Sequence, residues 1–204
     1  RAFNGDHGPA LVVRDEQINA FATLGGNIVV FSGLISFCER PEELAAVLAH
    51  EIGHVEERHV TNKLLKEFSL GVLFGVLTGG DVIVVQEILR TLASTAFDRS
   101  QEAAADDFAL EMMQDASVHP HYLGTFFRRL REDNELSDVT DRLTLISTHP
   151  ADKDRVNNAF EHRVDSAFVE RDFGLDWAAV RHASGWTGAS PAADSLATAS
   201  APQP

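Results

Sequence analysis

The spacing of apolar positions changes character once in the first third of the chain. Leu11-Val12-Val13, Ile18 to Ala22 and Ile28 to Phe31 are short apolar runs, the last following a Gly25-Gly26 turn, and each predicts a β-strand. From Pro41 the apolar positions recur at helical intervals instead. Leu44, Val47, Leu48, Ile52 and Val55 make one stripe, which predicts a helix running to about Lys63. Pro41 suits its first position, and Glu42 and Glu43 suit the positive end of its dipole. Residues 64 to 97 keep helical spacing around Gly79-Gly80 and predict two helices joined by a turn. Asp98 with Gln101 three residues later resembles a capping box and predicts a helix opening there and running through Met113. Further helices are expected from His119 to Arg131 and from Ala151 to Arg163. Residues 1 to 9 are expected as a loose lead-in rich in Gly, Pro and Asn. From Ala183 the composition collapses into Ala, Ser, Pro, Gly and Thr, so residues 184–204 are expected as a disordered tail behind a domain at 1–183. There is no internal repeat.

Composition narrows the function classes. The 204 residues are 44% hydrophobic and 24% charged, enough to build a packed core. Asp plus Glu number 31 against 17 Lys plus Arg, a formal charge of −14. That balance lacks the clustered cations a nucleic-acid partner requires. The single cysteine, Cys38, excludes an intrachain disulfide framework and a cysteine-based zinc site. It reads as a buried thiol, not a nucleophile. No run approaches the length of a membrane-spanning helix; the most apolar window, Leu70 to Leu77, is too short.

The sharpest chemical signal is His50-Glu51-Ile52-Gly53-His54, an HExxH motif inside the predicted helix. Two histidines four apart project from one helical face, one turn from each other, and can share a single Zn²⁺. Glu51 then lies close enough to act as base on a zinc-bound water. A catalytic zinc needs a third protein ligand and one open position. The metzincin arrangement is ruled out, because Glu57 and Val60 stand where it requires glycine and histidine. His59 falls one residue out of that register and reads as a supporting residue in preference to a ligand. The alternative is a glutamate from a later helix. Glu102 and Asp106 share one helical face, and the alanines between them let two helices approach closely. Glu102 would ligate, and Asp106 would hold the far nitrogen of a ligating histidine.

Leu48 to Val55, Arg58-His59 and Arg99 to Glu102 with Ala105-Asp106 resemble the HtpX and CAAX-prenyl-protease family of zinc metallopeptidases, peptidase family M48. Asn19-Ala20-Phe21-Ala22 with Gly25-Gly26 and Gly33-Leu34 resembles the strand and turn before that family's active helix. Ser147-Thr148-His149-Pro150 with Arg155 resembles its THPxxxxR segment. The resemblance runs from about residue 10 to 163. It implies a gluzincin with one catalytic zinc held by His50, His54 and Glu102 and with Glu51 as general base. Family members with membrane-spanning helices differ from this chain, which looks more like the soluble bacterial branch. That implies a periplasmic or membrane-associated setting, through a segment outside this chain.

The fold expected is α+β and predominantly α, a zincin-like domain with a small sheet beside the HExxH helix. Asn19, Ala20 and Phe21 would receive an extended peptide by strand pairing. His149 would donate to the oxyanion, close the fourth zinc position, or cap a loop. Arg155 would stabilise the oxyanion or pair with a helix carboxylate. His119, His121, Tyr122, Phe126 and Phe127 read as core, and Arg128, Arg129 and Arg131 as a solvated charged face. The leading expectation is a zinc endopeptidase acting on unfolded or misassembled polypeptides. Its rivals are a zinc-containing chaperone or binding module and a latent peptidase closed by His149; a purely structural zinc domain is weaker, since such sites favour Cys and His ligands.

Overall fold

The computed structural model describes residues 10–68, 72, 79, 82–94, 96–136 and 144–184. The expected lead-in, most of the segment around the Gly79-Gly80 turn and the expected tail after Ser184 lie outside the described residues. The three expected strands form one sheet in the order β1-β3-β2, from β1 (Ala10–Val13), β2 (Ala20–Ala22) and β3 (Ile28–Phe31). β1 runs parallel to β3, pairing Ala10 with Ile28, and β2 runs antiparallel, pairing Ala20 with Val30. The β2–β3 turn closes with Thr23 N–H donating to Asn27 O, and Gly25 and Gly26 take positive φ.

Helices supply the rest. They are α1 (Ser32–Phe37), α2 (Pro41–Glu56), α3 (His59–Glu67), α4 (Val82–Ser94), α5 (Arg99–Asp115), α6 (His121–Leu136), α7 (Thr144–Thr148), α8 (Lys153–Glu161) and α9 (Trp177–Ala183). The architecture is α+β and mainly helical, as expected. The Asp98 capping box is formed as the sequence predicts, with Asp98 accepting from the N–H groups of Ser100 and Gln101.

Three expectations are corrected. The helix from Pro41 does not run to Lys63: it ends at Glu56, and Arg58 adopts the left-handed conformation (φ 58°) before α3 begins. The turn carries His59 round to face His54. The apolar stripe read from the sequence is also not the deepest face of α2. Ala46, Ala49, His50, Gly53 and His54 are buried, whereas Leu44, Leu48, Ile52 and Val55 are only partly covered. The helix is enclosed nearly all round, so its small and polar positions mark its tightest contact. Arg129 likewise leaves the expected charged surface. Its guanidinium grips the buried Glu43 carboxylate at 2.6 and 2.7 Å and also donates to Phe37 O.

That tight contact is with α5. A Cβ placed on Gly53 would lie 2.7 Å from Ala105 O and 3.0 Å from its Cα. Ala105 and Ala109 are fully buried on the facing side of α5. The main core gathers α1, α2, α5, α6 and α8 against the inner sheet face; a second cluster joins Phe21 and Ala22 to Val60, Leu64, Ile88 and Leu92. The HExxH segment lies between them. α9 is tied to α1 and its end by Trp177 Nε1, donating to Cys38 O, and Arg181, donating to Ser36 O. Cys38 is wholly buried, and burial pushes its thiol far up, as expected of an inert cysteine. No helix among the described residues is long and apolar enough to cross a membrane.

Gly53→Ala is expected to cost about 1–3 kcal/mol, because the added methyl meets backbone, which cannot rotate away. Urea unfolding of the variant measures this; a wild-type midpoint would show that α2 and α5 separate freely.

Candidate metal centre

α2 and α5 cross so closely that side chains from both meet without long reach. His50, His54 and Glu102 converge with His149, which follows α7, and all four are buried. His50 Nε2 lies 3.1 Å from His54 Nε2 and 3.2 Å from His149 Nδ1. Glu102 Oε1 lies 2.9 Å from His149 Nδ1 and 3.4 Å from His54 Nε2. Glu102 Oε2 is 3.5 Å from His50 Nε2. Zinc bonds of about 2.0–2.1 Å would give a tetrahedron with edges of about 3.3–3.4 Å. The observed separations bracket that figure, and three nitrogens with one carboxylate are donors that zinc accepts.

The far nitrogens of two histidines fix how the near ones point. His50 Nδ1 lies 2.8 Å from Asp106 Oδ1, so it carries the proton and leaves Nε2 with a lone pair. His54 Nδ1 lies 3.0 Å from His59 Nδ1. With both rings neutral and protonated at Nδ1, two Nε2 atoms 3.1 Å apart would present lone pair to lone pair, which a cation between them would relieve. Asp106 and His59, read from the sequence as supporting residues, lie against the Nδ1 atoms of His50 and His54.

Arg155 takes the carboxylate-pairing role among the two left open for it. Its Nε and Nη2 donate to Asp106 at 2.6 and 2.8 Å, its Nη1 reaches Glu102 Oε2, and Nη1 also donates to Pro150 O. These contacts place its guanidinium against both helix carboxylates and the carbonyl that follows His149.

Burial opposes every charge here, so the sign of each shift tells which partner wins. Burial works against the His50 imidazolium, yet Asp106 and Glu102 outweigh it and push His50 up to about 9. Burial alone would raise Glu102, but His149, His50 and His54 hold it well below the usual carboxylate range. Asp106 is likewise held down against burial by Arg155 and His50. Glu51 goes the other way: burial raises it, only partly opposed by His149 and His50. One Glu51 oxygen accepts from Ala22 N–H at 3.1 Å, and the other lies 3.4 Å from His149 Nε2.

The expected peptide-binding strand is beside the site but enclosed. Asn19 O and Asn27 O accept from Phe31 and Thr23, so Asn19 and Thr23 face β3, and Ala20 and Ala22 face outward, toward α2. Asn19, Ala20 and Phe21 are nevertheless buried, and Asn19 Nδ2 donates to Ala93 O of α4. Sequence reasoning missed the Ala22 N–H, Lys63 and Phe97. Phe97 immediately precedes the Asp98 cap, and Lys63 sits four residues after His59 on one helix face; those positions were the available signals.

The family model described as peptidase family M48 matches residues 3–163. The chain is 29% identical over 161 residues to a beta-barrel assembly-enhancing protease of Yersinia pestis, covering 72% of this chain and 33% of that protein. It is 30% identical over 165 residues to the mitochondrial metalloendopeptidase OMA1 of Schizosaccharomyces pombe (79% and 48%). It is 30% identical over 155 residues to the metalloprotease LoiP of Escherichia coli (70% and 58%). The chain thus spans about a third of the length of the beta-barrel assembly-enhancing proteases it matches.

His59 yields a pH prediction. Burial pulls its imidazole below the ordinary value, so the fold favours the neutral ring, whose Nδ1 lies 3.0 Å from His54 Nδ1. The stability linked to it is present above about pH 6.5 and drains away as pH falls through the depressed value. Between about pH 7 and about pH 5, the melting temperature of His59→Asn should therefore fall less steeply than that of the wild type. Equal slopes would remove His59 from the account.

Proposed function

The chain belongs to peptidase family M48, and from that premise we propose that it is the catalytic domain of a zinc metalloendopeptidase. The observation that carries the proposal is the buried four-donor cluster with the Glu51 carboxylate beside it. We assign His50, His54 and Glu102 as the zinc ligands, Glu51 as general base and residues 1–183 as the domain. Bound zinc would supply Lewis acidity at the scissile carbonyl and the attacking water.

Glu51 takes the proton of the attacking water and returns it to the leaving amide nitrogen. Its raised pKa makes it a stronger base toward the water's proton than an ordinary carboxylate. Asp106 and Arg155 keep His50 and Glu102 oriented throughout. An extended segment of an unfolded or misassembled polypeptide would pair with the Asn19–Phe21 strand. Pairing there would claim the outward Ala22 N–H that Glu51 now holds. The setting we infer is periplasmic or membrane-associated, through a segment outside this chain.

A second reading has a specific observation behind it. His149 Nδ1 stands within 2.9–3.2 Å of Glu102 and His50, a fourth vertex of the donor set. In that reading His149 closes the open position and the domain is a latent peptidase.

Casein cleavage by the zinc-loaded protein tests both. Glu51→Gln should retain zinc and lose about 10²–10⁴-fold in rate, whereas His149→Ala should be faster than wild type only if His149 is the closing ligand. Undiminished cleavage by Glu51→Gln would overturn the assignment of the base.

A further inference from the structure

Phe97 has a place in the site that no ligand or base accounts for. Its ring stacks on His54 with centroids 4.0 Å apart and an interplanar angle of 22°. It also leans on His149, at 5.4 Å and 34°. Its backbone N–H donates to Thr148 O, next to His149, so the ring and that histidine share one anchored segment. The Lys63 ammonium sits 4.2 Å from the centroid of the same ring. A ring stacked at 4.0 Å fills one face of Phe97, leaving no room there for an ammonium at 4.2 Å. Lys63 therefore occupies the opposite face, and the three side chains form a stack in the order lysine, phenylalanine, histidine.

A lysine is an expensive choice for simple packing. Lys63 is only 8% exposed, and a methionine would fill the same volume without desolvating a charge. Burial pulls its ammonium down to about 8, while Glu51 and Glu102 act to keep it charged. The cation–π contact holds the ring by its face, a constraint that an apolar side chain does not impose on ring tilt. His54 needs such a constraint: its Nε2 must meet the donor cluster while its Nδ1 meets His59, and its own helix restrains only the base of the side chain.

We propose that Lys63 and Phe97 are a positioning pair for His54, with Lys63 clamping the Phe97 ring onto the imidazole and so fixing its plane toward the metal. This rests on the zinc assignment made above. Neither residue touches substrate in this role. The pair acts by keeping the His54 imidazole in its ligating orientation, which should slow release of the metal and set the symmetry of its surroundings.

The test is zinc affinity by chelator competition, with the visible spectrum of the Co²⁺-substituted protein as a second readout. Lys63→Met keeps the stem and should weaken zinc binding by about tenfold and shift the cobalt bands. Lys63→Arg, which keeps the cation, should restore both. Phe97→Leu should reproduce the Lys63→Met behaviour, and unfolding of the zinc-free proteins separates these effects from lost stability. Wild-type zinc affinity and an unshifted spectrum in Lys63→Met would overturn the proposal, as would an arginine variant no better than the methionine one. Failure of the wild type itself to bind zinc would instead sink the peptidase reading.

Discussion

The approach of α2 to α5 at Gly53 and Ala105 is the constraint on which the rest of the molecule turns. At that point one helix has no side chain and the other has a methyl, so backbone meets backbone. Glu102 lies three residues before Ala105 and Asp106 one after, which places both carboxylates opposite the HExxH face. Had the crossing been padded with leucines, the carboxylates would have stood several ångströms off and a common metal could not have been shared. The small residues look like weak packing when read one at a time. Together they set the distance that the chemistry needs.

Closeness alone would be destabilising, because it brings six ionisable groups together in a buried space. The arrangement works because charges of opposite sign are interleaved. Asp106 sits between His50 and Arg155, and Glu102 sits among His149, His50, His54 and Arg155. Each carboxylate is held down and His50 is held up, so the pairs support each other against burial. Arg155 links the two acids and ties them to Pro150 O, so the loop bearing His149 is registered against α5 by the same guanidinium.

Much of this was legible in the residues. The strands and the capped start of α5 follow from periodicity and spacing, which are local properties, whereas the pairing of Glu102 with the HExxH face came from the known alternatives for a third zinc ligand and from the family resemblance. The break at Arg58 was not legible: an arginine in the left-handed region carries no compositional mark, and it is held by the tertiary contact of His59 with His54. α1, α7 and α9 also escaped, because each has too few turns to show a period. The inward turn of Arg129 escaped for another reason. Its partner Glu43 is 86 residues away, and only the fold reveals that a residue in a charged run faces a buried acid. His149 and Arg155 were found as residues but not as roles, since a role depends on which atoms lie within reach.

The placement of Glu51 shows why the strand beside the site belongs to the same argument. A buried carboxylate must be held by something, or it would swing toward the nearest cation. Here one oxygen is held by a backbone N–H of β2, and the other is left near His149 without a short bond. A backbone donor restrains the carboxylate without supplying a full charge; it favours the ionised form, but burial outweighs it and the carboxyl stays raised. Because that donor belongs to the outward row of an edge strand, any chain that pairs with β2 at Ala22 must compete with Glu51 for it. If a peptide pairs with β2 as proposed, its binding and the release of Glu51 would be one geometric event, and the enclosure of β2 by α4 and α2 would govern both together.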